Sequence, residues 1–164
     1  MADLVLGSTT VISDSSGSPA IQSGVTFPAG HIIQVAYGHT ATATSVSTTL
    51  IDVGLSVDIT PTDPTNKILV TAHLNMQYNN SGMGFKILRD STVIKTALDY
   101  ANYTSAGGQI NTRSSYAILD DISDSPAWSS GSINYKIQAR TYAGTHTFNE
   151  STNYSEIIAM EVVA

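Results

Sequence analysis

The sequence predicts an all-β protein: an antiparallel β-sandwich that follows a short extended N-terminal segment. The first observation is composition, because 21 Ser, 20 Thr and 8 Tyr among 164 residues, with only 12% charged residues, are typical of strands and turns rather than of helices. The second is the alternation of apolar and polar residues in several segments, which is the pattern of strands with one buried face. The third is the spacing of the candidate strands, eight or nine at intervals of about 8–15 residues, which favours a sandwich.

The N-terminal segment, residues 1–27, is predicted to attach the chain to a partner and to promote oligomerisation. Strand-like pieces at residues 9–13 and 20–23 flank a turn cluster rich in Ser, Gly and Pro at residues 14–19. Pieces this short bury too little apolar surface to be stable alone, so we expect them to pair with the main domain or with another chain. The apolar residues expected to make this attachment are Leu4, Val5, Leu6, Val11, Ile12 and Ile21.

Residues 28–164 are predicted to form the sandwich domain. The clearest strand is residues 67–78, where apolar and polar residues alternate over a dozen positions. Pro61 and Pro64 separate it from the preceding strand, because proline cannot donate to a sheet ladder. The other predicted strands are residues 31–38, 50–59, 84–89, 92–97, 115–119, 133–141, 145–149 and 155–163, with residues 40–49 as a loop or an edge strand and residues 120–132 as a loop.

Charge and cysteine content exclude several classes of function. The net charge is −6, from 7 basic and 13 acidic residues, which argues against binding to nucleic acids or to anionic membranes. No run approaches 18 apolar residues and the first residues lack the pattern of a signal peptide, so neither membrane insertion nor secretion is expected. The absence of cysteine excludes a zinc ribbon, a disulfide scaffold and a thiol enzyme.

No motif for catalysis or for a cofactor is found. The four histidines (His31, His39, His73 and His146) lack the spacing of metal ligands, so structural or surface roles are expected for them. A nucleophile elbow and a phosphate-binding loop are also missing. We therefore expect a protein that is not an enzyme and that needs no cofactor and no metal.

The densest acidic cluster is formed by Asp120, Asp121 and Asp124. A turn in which Asp and Ser side chains bond the local backbone is the favoured interpretation, and a weak Ca²⁺ site is the alternative left open. Adjacent aspartates in one loop do not provide the protonated and ionised pair that glycosidases use.

Two loops have the composition of binding loops, rich in Tyr, Asn, Ser and Gly, at residues 77–82 and 100–105. Tyr offers contact area at low entropic cost, while Asn and Ser offer adaptable hydrogen bonds. One hypothesis is a contact with a host surface glycan or receptor. The alternative is that these residues occupy ordinary turns and that the single Trp closes one end of the sandwich. The candidate contact residues are Tyr100, Asn102, Tyr103 and Trp128.

Several short strings follow one another in a fixed order from residue 27 to the end of the chain. In this order they resemble short tail-fibre-like and virion structural proteins of phages that infect marine and freshwater bacteria, including cyanophages. The strings are FPAGHIIQV at residues 27–35, LIDVGLSVDITP at 50–61, NKILV at 66–70, LRDST at 88–92, LDD at 119–121, DSP at 124–126, NYKIQ at 134–138 and IIAMEV at 157–162.

The resemblance implies a jelly-roll-like sandwich in a tail fibre or related appendage of a virion, with a homotrimer expected and no catalytic residues to carry over. A capsid decoration protein is the alternative, and a lectin-like carbohydrate-binding module is a third. The expected partners are further copies of the chain, other virion proteins bound through the N-terminal segment, and a host glycan or receptor. The chain would be made in the host cytoplasm and located on the virion. Few charges would be buried by such contacts, and cyclic symmetry would let the N-terminal strands cover one another's edges.

Overall fold

The computed structural model describes residues 4–13, 20–21, 25–97, 102–105, 107–124, 126–150 and 153–164. The chain divides into two units, Met1–His31 and Ile32–Ala164. Thirteen β-strands occur in the described residues. Within the same residues, no helix is long and apolar enough to cross a membrane.

The N-terminal unit contains a small antiparallel sheet in the order β1 (Leu4–Leu6), β2 (Thr9–Ser13) and β3 (Ala20–Ile21). Gly7 has a φ of +65°, which permits the tight turn between β1 and β2. These short strands pair with one another, whereas the sequence predicted pairing with the main domain or with another chain. Leu4, Val5 and Leu6 are exposed, and the attachment role of this segment stays a prediction.

The second unit is built from two antiparallel sheets, of which the first has six strands. Its strands are β4 (Ile32–Thr40), β5 (Thr44–Val46), β7 (Lys67–Tyr78), β10 (Ile110–Asp121), β12 (His146–Phe148) and β13 (Ser155–Val162). Across this sheet the order is β4-β13-β7-β10. The short strands β12 and β5 lie on the same side of β7 as β13, beyond the end of β13.

The second sheet has four strands, β6 (Ile51–Ile59), β8 (Met83–Arg89), β9 (Thr92–Ala97) and β11 (Ile133–Thr141). Their order across the sheet is β6-β11-β8-β9. Asp90 adopts a φ of 54° at the turn between β8 and β9, a conformation that Asp tolerates better than most residues. The predicted hairpin is confirmed.

The connectivity of the eight long strands is that of a jelly roll. Numbered in chain order, they follow the order 1-8-3-6 in the first sheet and 2-7-4-5 in the second, and all neighbouring strands are antiparallel. The predicted fold class, an antiparallel β-sandwich of jelly-roll type, is confirmed.

The core lies between the two sheets and follows the period of two that the sequence shows. In β7 the predicted inner residues, from Ile68 to Tyr78, are all buried, and the predicted strand has the observed bounds. Burial of each large aliphatic side chain in such a core contributes about 1.5–3 kcal/mol. Gly38 lies where β4 crosses β6, and a Cβ at this position would stand 2.0 Å from the carbonyl oxygen of Ser56.

The largest difference from the prediction is β10, which is longer than the expected residues 115–119. Residues 111–114 and 120–121, which lie outside the predicted range, are polar, so the sequence lacks an apolar alternation there. All twelve residues of β10 nevertheless pair with β7, from Ile110 opposite Tyr78 to Asp121 opposite Lys67. Pairing with the twelve residues of β7 therefore makes β10 longer than its own apolar pattern indicates.

Candidate functional site

The outer face of the first sheet, which points away from the core, carries apolar side chains in each of three successive rows. Strand register places Val35, Met160, Leu69 and Leu119 side by side on β4, β13, β7 and β10. The adjacent rows are Tyr37, Ile158, Thr71 and Ala117 on one side and Ile32, Val162, Lys67 and Asp121 on the other. We call the apolar members of this surface the apolar face: Ile32, Val35, Tyr37, Leu69, Leu119, Ile158, Met160 and Val162.

The apolar face is substantially exposed at its edges. The exposed fractions are 62% for Val35, 54% for Tyr37 and Leu119, and 52% for Ile32. Three rows on four strands span about 400 Å², from the usual spacings of strands and residues. Isolated exposed apolar residues are ordinary, and a contiguous patch of this size, which is in the range of the largest patch on a typical monomer, is often functional. The sequence contains each of these residues, but only the strand register brings them together.

A polar row borders the apolar face on the same sheet. It consists of His39, Glu156, His73 and Ser115 in register across the four strands. The Tyr37 hydroxyl donates to Glu156 Oε2 at 3.3 Å, and His73 Nδ1 lies 2.7 Å from Ser115 Oγ. Desolvation, and then the nearby Glu156 carboxylate, raise the pKa of Tyr37. The row lies on an open sheet surface, whereas hydrolases of the Ser-His type work in a water-excluding site with an oxyanion hole.

The outer face of the second sheet is polar and ionic. The carboxylate of Asp52 accepts hydrogen bonds from Lys136 Nζ at 3.0 Å and from Gln138 Nε2 at 2.6 Å. Asn134 Nδ2 donates to Asp58 Oδ1 at 2.7 Å. The bond from Gln138, followed by the bond from Lys136, lowers the pKa of Asp52. We call this surface, formed by Asp52, Asp58, Asn134, Lys136 and Gln138, the charged face.

The candidate receptor contacts near residue 102 lie at the end of the sandwich where β7 ends. Tyr103 forms a bridge with Gly82 and packs edge to face against Tyr142, with ring centroids 5.9 Å apart. Tyr103 is 43% exposed and Tyr142 is 46% exposed. Tyr142 was missed by the sequence analysis, although it directly follows the predicted strand 133–141. Tyr100 lies outside the described residues.

Asn102 is held by the sandwich itself. Its Oδ1 accepts a hydrogen bond from Ser114 Oγ at 2.7 Å, and its Nδ2 donates to the Tyr116 hydroxyl at 3.3 Å. Both partners belong to β10. The Asn102 amide therefore fixes the loop to the strand, and its polar atoms are already engaged.

Trp128 lies at the opposite end of the sandwich from Tyr103. Its backbone N–H donates to the Ile122 carbonyl at 2.8 Å, its indole Nε1 donates to the Gly131 carbonyl at 3.0 Å, and its ring packs against the core. The twelve residues of β7 separate the two ends by about 36 Å. The structure therefore does not combine Trp128 and Tyr103 in one site.

A buried ionic cluster joins the two sheets near Trp128. Arg89 on β8 and Asp120 on β10 are 4% and 6% exposed, and Arg89 Nη1 lies 3.3 Å from Asp120 Oδ2. The Tyr135 hydroxyl donates to the same carboxylate oxygen at 2.6 Å. Burial, and then this hydrogen bond, raise the pKa of Tyr135 far above its ordinary value. Asp120 was predicted in a loop, but it is a strand residue that points inward.

Arg89 also fixes the loop that follows β10. Its Nη1 donates to the carbonyl of Asp121 at 3.2 Å. Its Nη2 donates to the carbonyls of Asp124 at 3.2 Å and Pro126 at 3.1 Å. One buried guanidinium therefore satisfies the backbone of this loop as well as the Asp120 carboxylate, which is a structural role.

Asp121 has partners different from those of Asp120. Its Oδ1 accepts from the Ser123 hydroxyl at 2.6 Å and from the Ser123 backbone N–H at 3.1 Å, and Lys67 Nζ lies 3.1 Å from Oδ2. The bonds from Ser123, and then Lys67, lower the pKa of Asp121 to about 2. This is the turn that the sequence analysis favoured over a Ca²⁺ site. Among the residues that the structure describes, no group of three or more His, Asp or Glu side chains is arranged to hold a metal ion.

Comparison with known proteins finds no matching family model and no matching curated protein. A solved structure that aligns with the chain is the infectious bursal disease virus VP2 subviral particle, with a TM-score of 0.46 and 12% identity over 88% of this chain and 41% of that chain. Another is the structure of the Gx strain of infectious bursal disease virus, with a TM-score of 0.39 and 15% identity over 81% of this chain and 37% of that chain. The chain spans less than half the length of either.

Proposed function

We propose that the chain is a non-enzymatic structural protein of a phage particle, which self-associates into a trimer and forms part of a tail fibre or a related tail appendage. The observation that carries this proposal is the apolar face. Soluble proteins rarely expose an apolar patch larger than a few hundred Å², and such patches mark contacts with other proteins or with ligands. A flat face of this kind suits a protein surface better than a small molecule, which binds in a concave pocket.

The cost of covering the apolar face is low because few charges would be desolvated. Its three rows contain one cation and one anion, Lys67 and Asp121, and these two already pair with each other. Burial of unpaired charge is the main penalty in protein interfaces, and charged residues are depleted at interface centres. Self-association through this surface is therefore favourable.

A non-enzymatic role is supported by what the candidate polar residues do in the structure. Asp120 and Arg89 link the sheets, Asp121 closes a turn, and Asn102 holds a loop. Each of these side chains is used for folding. The sequence resemblance to virion proteins points in the same direction.

In this proposal the end of the sandwich that holds Tyr103 and Tyr142 contacts a host surface glycan or receptor. Two half-exposed Tyr rings offer amphipathic contact area at low entropic cost. The test is binding of the full chain to isolated host surface glycans, with Tyr103→Ala as the variant and Trp128→Ala as the control at the opposite end. Loss of binding in Tyr103→Ala alone supports the contact. Absence of binding in the parent chain, or equal loss in both variants, contradicts it.

The virion role is tested by gold-labelled antibodies against the chain, applied to purified particles of the phage that encodes it. We expect label on the tail fibres or the tail tip. Label over the head would contradict the appendage role and favour capsid decoration. A protein that is present in the lysate but not on particles would contradict both.

A further inference from the structure

We infer that the inner face of the first sheet carries a calcium-binding site, with Glu161 Oε2 and Gln34 Oε1 as its side-chain ligands. Glu161 on β13 and Gln34 on β4 are register partners. Glu161 alternates with the core residues Ile157 and Ala159, and Gln34 is two residues from Ala36, which packs against the core. Both side chains therefore lie on the inner side of the sheet. The site is separate from the apolar face, and the inference is independent of the proposed self-association.

One oxygen of the Glu161 carboxylate is already saturated. Oε1 accepts hydrogen bonds from the Thr62 backbone N–H at 2.7 Å, from the Thr62 hydroxyl at 2.8 Å and from Asn66 Nδ2 at 2.8 Å. An ionised carboxylate only accepts hydrogen bonds and has about two acceptor sites on each oxygen. These three donors fix the orientation of the carboxylate, so a further partner would bind at Oε2.

The second oxygen of Glu161 lies beside another acceptor that lacks a donor. Within the described residues, Glu161 Oε2 and Gln34 Oε1 are both buried and have no hydrogen-bond partner. Register partners on adjacent strands have Cβ atoms about 4.5–5.5 Å apart, so one small occupant can reach both oxygens. Buried polar atoms almost always have partners, and two acceptors cannot satisfy each other. The two oxygens therefore point to an occupant that is a cation or a donor.

The charge of the site favours a cation. Glu161 is 0% exposed, and in the described part of the chain no Lys, Arg or His side chain forms an ion pair with it. A buried carboxylate without a positive partner is strongly unfavourable. A cation held between Glu161 Oε2 and Gln34 Oε1 would neutralise the carboxylate and give both oxygens a partner.

The donor set selects calcium among the common cations. Both side-chain ligands are oxygens, which Ca²⁺ prefers, whereas Zn²⁺ sites are usually built from nitrogen and sulfur. Mg²⁺ keeps several waters in a near-ideal octahedron, and Ca²⁺ accepts flexible geometry with 6–8 ligands. Gln34 is half-buried on an edge strand, so water can supply some of the remaining ligands. With one carboxylate we expect weak binding, with a Kd of about 10⁻⁴–10⁻³ M.

The acidic turn after β10 is the other location for such an ion, and its carboxylates already have cations. Asp120 pairs with Arg89, and Asp121 pairs with Lys67 while it accepts two hydrogen bonds from Ser123. A calcium ion there would have to displace these partners. Asp121 is therefore a suitable position for the control variant.

The test is calcium titration of the full chain, after treatment with a chelator, by isothermal calorimetry and by thermal unfolding at matched ionic strength. We expect one site, and a rise in Tm of about 3–6 °C at a calcium concentration ten times the Kd. Glu161→Gln removes the charge but keeps an acceptor for Thr62, and it should abolish binding. Gln34→Met removes the second oxygen at similar size and should weaken binding at least tenfold. The control Asp121→Asn should bind calcium like the parent chain.

Circular dichroism establishes that each variant is folded, and if Glu161→Gln does not fold, Gln34→Met decides. No heat of binding and no rise in Tm up to about 10 mM calcium would overturn the site. That result would instead indicate that the Gln34 amide turns its nitrogen toward Glu161 as a direct donor. Binding that is lost in Asp121→Asn and kept in Glu161→Gln would also overturn it, as would an equal rise in Tm with sodium chloride.

Discussion

The two outer faces of the sandwich have the same architecture and opposite chemistry. Each is the outward side of four long antiparallel strands, and the inward side chains of the two central strands of each sheet are buried. On the first sheet the outward residues include Val35, Leu69 and Leu119, whereas on the second they include Asp52 and Lys136. The inward set forms the core, so packing constrains the outward set less. The apolar face is the one for which we propose a protein partner.

The outward residues of the charged face form polar cross-strand pairs, as expected for a sheet surface that is exposed to water. Its Asp52 carboxylate is bonded by Lys136 and Gln138 on the neighbouring strand, which is the cross-strand pairing expected on a solvated surface. Strand pairing alone therefore does not explain apolar side chains on the outside of the first sheet. Their placement in one contiguous patch favours a role in assembly.

The largest effect is expected when a charge is placed at the centre of the apolar face. Met160→Asp would bury a carboxylate in the proposed contact, a penalty of several kcal/mol per chain, and should weaken association by more than about a thousandfold. The matched control, Ser56→Asp on the second sheet, should associate like the parent chain. Sedimentation velocity measures both, and a Met160→Asp protein that keeps the parent's mass would show that the face is not the contact.

The next largest effect is a loss of stability when the buried ion pair between the two sheets, Arg89 and Asp120, is broken. Arg89→Met should lower the free energy of unfolding by about 3–5 kcal/mol, because it leaves the Asp120 carboxylate buried without its cation. The double variant Arg89→Met/Asp120→Asn should recover part of this loss, since the unpaired charge is removed. Denaturant titration measures the series. Equal stability of single and double variants would argue against the ion pair as the source of the effect.

A smaller loss of stability is expected where the edge strands β4 and β6 of the two sheets approach each other. In Gly38→Ala the new Cβ would meet the Ser56 carbonyl oxygen at 2.0 Å, so β4 and β6 must separate, at a cost of about 1–3 kcal/mol. Gly107→Ala is the control, because its Cβ would have no atom within 4 Å. Thermal unfolding compares the two variants, and an unchanged melting temperature for Gly38→Ala would contradict the close approach.

The smallest effect is a pH dependence at the margin of the apolar face. The pKa of Asp121 is lowered to about 2, so its carboxylate stabilises the fold above about pH 4, and this contribution disappears as the pH falls toward 2. Asp121→Asn should therefore be slightly less stable than the parent at neutral pH and equal to it near pH 2. Asp52→Asn should follow the same direction on the charged face. Denaturant titrations at several pH values at low salt measure both, and a difference that grows toward acid would contradict the assignment.

Much of the fold could be predicted from the sequence because each strand has its own local pattern. The alternation over Lys67–Tyr78 and the turn at Asp90 are local signals, and both predictions were confirmed. The polar ends of β10 were missed because pairing with a neighbouring strand, rather than an apolar pattern, makes them a strand. Asp120 was predicted in a loop because its partner Arg89 is distant in sequence and no local pattern marks Asp120 as an inward strand residue.

The apolar face could not be predicted, because it depends on the register of four strands that are far apart in the chain. Leu69 is a single apolar residue on the polar side of its strand, whereas Val35 and Met160 lie on strands that carry apolar residues on both faces. Only long-range pairing aligns them in one row. Long-range pairing also separates Trp128 from Tyr103 and brings Tyr142 beside Tyr103 instead.

The most direct test of self-association is the mass of the full chain in solution, measured by sedimentation equilibrium at micromolar concentration. The chain has a mass of 17.3 kDa, and a trimer has three times that mass. We predict the trimer mass for the parent chain and a fall to 17.3 kDa when the apolar face is disrupted. A parent chain that stays monomeric up to high micromolar concentration, with its apolar face in water, would contradict the account.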